Sequence, residues 1–167
     1  MEFRLTEEQG KIRRDVQDVC GQYPDEYWRD LDRDRRYQLV VERASNHATE
    51  RVVFDRPIGK NQGVQFPIAR AFASVEAASM MRFKAASLFD AGEKCGAEAN
   101  MAKLLASEAA WEAANAAVQT FRGYGFRKEY DVERKFRESR IFMVAPVSNN
   151  LVLSYIGQHV LGMPRSY

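Results

Sequence analysis

Residues 62–89 read QGVQFPIARAFASVEAASMMRFKAASLF, with one proline, Pro67, close to the start. Apolar side chains recur there every three or four residues, which is the spacing of one face of an α-helix. Further large apolar side chains point in other directions. The stretch therefore predicts a long helix that is buried on more than one side. The first set comprises Val64, Ile68, Ala71, Val75, Ala78, Met81, Ala85 and Leu88, and the second comprises Phe66, Phe72, Met80 and Phe83.

The flanking sequence predicts more helices and no strand of useful length. Residues 56–61 form a connector with proline and glycine before the long helix, and Gly92 ends it. Periodic patterns predict further helices over 37–51, 97–121, 132–142 and 148–161, with Ser148 as the N-cap of the last. A capping box at Thr6 predicts one more near the N-terminus. We expect an all-α fold, an antiparallel up-and-down helical bundle.

Composition excludes several classes of function. The 167 residues carry a net charge of +2, and the densest charge run, residues 29–36, mixes both signs, so we expect no nucleic-acid partner. No apolar run approaches the roughly 20 residues that span a bilayer, and the N-terminus does not resemble a targeting signal. These features predict a cytoplasmic protein without membrane contact. The histidines, His47 and His159, have no second ligand at metal spacing, so no metal site is predicted.

Four stretches carry a resemblance to a known family. They are ERVVFDRPIGKNQ (50–62), CGAEANMAK (95–103), AVQTF (117–121) and HVLGMPRSY (159–167). Together they resemble the C-terminal helical domain of the acyl-CoA dehydrogenases, while LTEEQ (5–9) and YPDEYW (23–28) resemble the start of the family's N-terminal helical domain. The resemblance implies two segments, 1–36 and 37–167, and the absence of the β-domain that lies between them in the family.

The resemblance also implies a cofactor site. In the family this domain grips the ADP half of FAD, and the matching positions here are Arg51, Phe54, Ile58, Gln62, Gln119 and Gly123. A guanidinium can bind the pyrophosphate with two hydrogen bonds, and a glycine lets backbone approach it closely. Taken without the family, Phe54 and Ile58 could equally be core residues.

Arg122 departs from the family pattern. The family turn has two adjacent glycines, and Arg122 stands where the first would be. Its side chain could clash with the dinucleotide, or its charge could replace other contacts. The sequence leaves both alternatives open.

The resemblance provides no catalytic residue. The family removes an α-proton from an acyl-CoA thioester as hydride passes to FAD, and many members use a glutamate whose position here is Pro146. Other members place the glutamate on the helix before Arg51, where Glu42 has no evident claim to the role. Independent dehydrogenase activity is therefore not expected. The alternatives are a non-catalytic bundle that forms a homodimer or homotetramer, a partner of a full-length acyl-CoA dehydrogenase, or a remnant without a selected role.

Overall fold

The computed structural model describes residues 36–165, with side chains from residue 39 onward. The predicted helix after Thr6 lies outside the described residues. Five α-helices form the described part: α1 (Arg36–Glu50), α2 (Gln62–Asp90), α3 (Gly96–Phe121), α4 (Val132–Ile141) and α5 (Asn149–Tyr155). The expected all-α bundle is confirmed. Between α1 and α2 lie two short strands, β1 (Val52–Val53) and β2 (Arg56–Pro57), which the sequence did not predict.

Helices α2 and α3 are the long antiparallel pair at the centre of the bundle. Near the connection the Lys84 ammonium lies 3.2 Å from the Glu98 carboxylate. Further away the Ser74 hydroxyl donates to Glu112 at 3.2 Å. From the first contact to the second, the residue number falls along α2 and rises along α3, so the two helices run in opposite directions.

The interface of α3 consists mostly of alanine. Ala110, Ala114 and Ala117 are at most 1% exposed. Alanine combines the highest helix propensity with a side chain short enough for neighbouring helices to approach closely. The alanine-rich sequence of α3 therefore explains both its length and its central place in the bundle.

The other helices pack around this pair. Helix α1 contributes Val40, Val41, Ala44 and Ala48 to the same hydrophobic core. The Trp111 ring of α3 lies 4.6 Å from the Phe136 ring of α4, measured between centroids. The Ser148 hydroxyl accepts a hydrogen bond from the Leu151 amide at 3.3 Å, which confirms the predicted N-cap of α5. The predicted helix to residue 161 instead continues beyond Tyr155 as a π-helical turn, Ile156–Val160.

Helix α2 buries only one stripe within the chain, made of Ile68, Ala71, Val75 and Ala78. The expectation that it is buried on more than one side does not hold within a single described chain. Four other large apolar side chains of α2 are each at least half exposed. We call these four the aromatic face: Phe66, Phe72, Met80 and Phe83.

None of the helices in the described part of the chain combines the length and apolar character needed to cross a bilayer.

Candidate functional site

A tight hairpin follows α1 and brings the predicted cofactor residues together. Val52 pairs with Pro57, and Val53 with Arg56, so the turn consists of Phe54 and Asp55. Both turn residues have positive φ, 52° and 60°. This backbone matches the twist of a two-residue hairpin, although such turns usually contain glycine or asparagine. The Phe54 side chain is 94% exposed, so the alternative that it belongs to the core is wrong.

The hairpin forms one wall of a cavity of about 530 Å³. Three of the residues implied by the resemblance line it: Arg51, Phe54 and Ile58. The sequence did not predict the remaining lining residues, which are Val53, Arg56, Asn61, Val64 and Arg122. The cavity lining thus combines apolar side chains with three arginines, and its volume is in the range that holds a small-molecule ligand.

Three arginines line the cavity, and no acidic residue of the described chain does. The Arg51 guanidinium lies over the Tyr124 ring, 4.9 Å from the centroid. Arg56 donates to the side-chain oxygen of Asn61 at 3.0 Å. Arg122 is exposed, just beyond α3. Among residues 39–165, no carboxylate forms an ion pair with these three arginines, which favours an anionic ligand.

The remaining implied residues do not line the cavity. Gln62, Gln119 and Gly123 are exposed, and each is next to or near a residue that does line it. A Cβ atom built on Gly123 would meet nothing within 4 Å. The chain's own packing therefore does not require glycine at this position.

His47 lies at the base of the hairpin, and its imidazole is packed against an aromatic ring. Its imidazole stacks on the Phe121 ring with 4.0 Å between centroids. Its Nε2 is buried without a hydrogen-bond partner in the part of the chain that the structure describes. Burial lowers the pKa of this imidazole, and the nearby Arg51 charge lowers it further, against an opposing effect of Glu50. No group of three or more potential metal ligands occurs among residues 36–165.

Pro146 stands at the position for which the resemblance implies a catalytic glutamate, and proline has no titratable side chain. Pro146 itself is exposed. The neighbouring polar groups are engaged in structure, since the Ser148 hydroxyl caps α5 and the Asn149 oxygen accepts hydrogen bonds from Lys103 at 2.5 Å and Ser107 at 2.9 Å. Burial lowers the pKa of Lys103.

Comparison with known proteins gives consistent matches. Residues 35–161 match the family model "Acyl-CoA dehydrogenase, C-terminal domain". Acyl-CoA dehydrogenase FadE12 of Mycobacterium tuberculosis is 42% identical over 132 residues, which are 78% of this chain and 34% of that protein. Butyryl-CoA dehydrogenase of Megasphaera elsdenii superposes with a TM-score of 0.72 at 31% identity, over 75% of this chain and 33% of that one.

A further solved structure is an FAD complex of the protein PigA, with a TM-score of 0.73 and 26% identity. It is matched over 76% of this chain and 33% of its own length. The chain thus spans about a third of the length of the relatives that it matches.

Proposed function

This chain belongs to the acyl-CoA dehydrogenase family, and on that premise we propose that its bundle holds the ADP half of FAD in the cavity beside the hairpin. In this proposal the surroundings of the flavin ring come from another polypeptide or from sequence outside these 167 residues. FAD would supply the redox chemistry, and the residues of this chain would only bind and orient it.

The observation that carries the proposal is the set of three arginines around one cavity without an acidic partner in its lining. A pyrophosphate needs several donors aimed at oxygen atoms, and guanidinium groups provide paired donors in a fixed plane. Stacking on Tyr124 restrains the Arg51 guanidinium without neutralising its charge. Arg51 is therefore well suited to bind phosphate with little further loss of side-chain freedom.

Phe54 supports the nucleoside part of the proposal. The Phe54 ring is 94% exposed and so buries little apolar surface within the described chain, whereas it offers an aromatic surface to an adenine ring. The open space beside Gly123 would let a ligand approach backbone amides. The residues present thus fit an amphiphilic anion such as ADP.

Binding to purified protein tests the site. We expect FAD and ADP to bind, and Arg51→Ala to weaken both about tenfold, because a hydrogen bond to a charged group is lost. Arg127→Ala is the matched control, since that guanidinium pairs with Glu129 at 3.4 Å and does not line the cavity. Failure of the wild-type chain to bind FAD or ADP would refute the proposed function. Unchanged affinity in Arg51→Ala would refute the assignment of the residue.

We further propose that these residues do not catalyse dehydrogenation by themselves. Proton abstraction needs a base within hydrogen-bond reach of the substrate, and Pro146 cannot act as one. The visible spectrum of FAD-loaded protein should stay unchanged when butyryl-CoA is added. Bleaching of the flavin band would contradict this part of the proposal.

The aromatic face of α2 supports a second role, association with another copy of the chain as a homodimer or homotetramer. Phe72 and Phe83 are eleven residues apart, which is three turns, so they lie on the same side of the helix. Each is at least half exposed in the single chain. Clustered exposed aromatic side chains are typical of surfaces that are covered by a partner. A full-length relative is the alternative partner.

Sedimentation velocity tests the association. We expect the wild-type chain to sediment as a dimer or larger, and the double variant Phe72→Glu/Phe83→Glu to sediment as a monomer with unchanged helical circular dichroism. Phe126→Glu is the control, because Phe126 is 76% exposed but lies outside the aromatic face. A monomeric wild-type chain would refute self-association.

A further inference from the structure

Arg122 has a backbone conformation that suits glycine. It follows α3 with φ 53° and ψ −128°. A Cβ atom is crowded at such angles, so a residue other than glycine destabilises the fold there. Conformations of this kind persist when the surrounding structure enforces them, and they cluster at functional sites.

The described part of the chain gives Arg122 no compensating contact. Its amide bonds the Val118 carbonyl, which any residue except proline could do. Its exposed side chain makes no ion pair or hydrogen bond with residues 39–165. Glycine would therefore satisfy the fold better than arginine does.

The arginines of the described part fall into two groups, those paired with a carboxylate and those without one. Arg43, Arg127, Arg134 and Arg137 each lie within 3.5 Å of a carboxylate oxygen. Arg51 and Arg56 contact only neutral groups, a tyrosine ring and an asparagine side chain. Arg122 adds a third unneutralised charge to the same cavity. Outside the cavity, Arg82 and Arg140 also belong to the second group and lie over aromatic rings.

We infer that Arg122 is a specificity-determining residue of this cavity. Together with Arg51 and Arg56, it binds the diphosphate group of the ligand. The inference rests on the proposed nucleotide site. Of the two alternatives for Arg122, a clash with the dinucleotide or a charge that replaces other contacts, it favours the second. Three positive charges match a diphosphate better than a monophosphate or an uncharged nucleoside. The site should therefore rank ADP above AMP, and AMP above adenosine.

Calorimetric titration of the full chain with ADP, AMP and inorganic pyrophosphate at low salt tests this role. Arg122→Gly should weaken ADP and pyrophosphate about tenfold and AMP less, because one charge-assisted contact to the diphosphate is lost. Arg122→Lys keeps the charge and should retain most of the affinity. Arg127→Gly, the same change at a cation outside the cavity, should have no effect on binding. A thermal melt of each variant distinguishes lost binding from lost folding.

The outcomes separate this inference from the nucleotide proposal. If Arg51→Ala weakens ADP binding while Arg122→Gly leaves it unchanged, the inference is wrong and the nucleotide site stands. If pyrophosphate binds in an Arg122-dependent manner but FAD and ADP do not bind, the anion role stands and the nucleotide proposal fails. If no probe binds, both are refuted.

Discussion

Replacing Arg122 by glycine should make the protein more stable. A residue other than glycine at φ 53° and ψ −128° costs about 1–3 kcal/mol. Glycine relieves this strain, but it also lowers the stability by about 0.5–1 kcal/mol, because it gives the unfolded chain more conformational entropy. The free energy of unfolding should therefore rise by about 1 kcal/mol, which corresponds to about 2–4 °C in Tm for a chain of this size. Thermal melts and urea denaturation followed by circular dichroism, at one fixed protein concentration, measure both.

Two variants separate backbone strain from charge. Arg122→Ala removes the same charge and keeps the crowded Cβ atom, so the difference between the glycine and alanine variants isolates the backbone contribution. Arg127 has an ordinary φ of −91°, and Arg127→Gly should destabilise the protein by about 0.5–1 kcal/mol. If Arg122→Gly melts at or below the temperature of Arg122→Ala, strain at this residue is refuted.

Three further predictions concern other parts of the bundle. Gly125→Ala should destabilise the protein by about 1–3 kcal/mol, since its Cβ atom would lie 2.8 Å from the Val118 carbonyl oxygen; an unchanged Tm would contradict this. The lowered pKa of His47 means that the folded state binds a proton less readily than the unfolded chain. The free energy of unfolding should therefore decrease as pH falls below about 6.5, and His47→Gln should reduce this dependence in pH-dependent urea melts. Val132→Ala should lower the free energy of unfolding by about 2 kcal/mol, because Val132 is 1% exposed. A loss below about 0.5 kcal/mol in urea denaturation, which is roughly the scatter of surface substitutions, would show that the site repacks.

The helices could be predicted from sequence because their signals are local. The apolar spacing of α2 and the alanine content of α3 act over many turns, and the ends of both helices lie within one residue of the expected positions. The hairpin could not be predicted. Its turn residues, Phe54 and Asp55, include neither glycine nor asparagine, so nothing in the stretch signals two consecutive positive φ angles.

Only part of the candidate site could be predicted. The resemblance indicated Arg51, Phe54 and Ile58, which line the cavity, because they belong to one continuous stretch. Arg56 lines the same cavity from the second strand of the hairpin, where it pairs with Val53. Arg122 comes from the far end of α3, and its strained backbone has no sequence signal beyond its departure from the family's glycine pair.

The aromatic face of α2 has a consequence for the chain inside a cell. The buried residues are mostly alanine and valine, while phenylalanines with more hydrocarbon lie outside. Chaperones and proteases act on chains that expose such surface. Under the proposed association, a copy without its partner would be removed faster than one with it, so the amount of this protein in a cell should follow the supply of that partner.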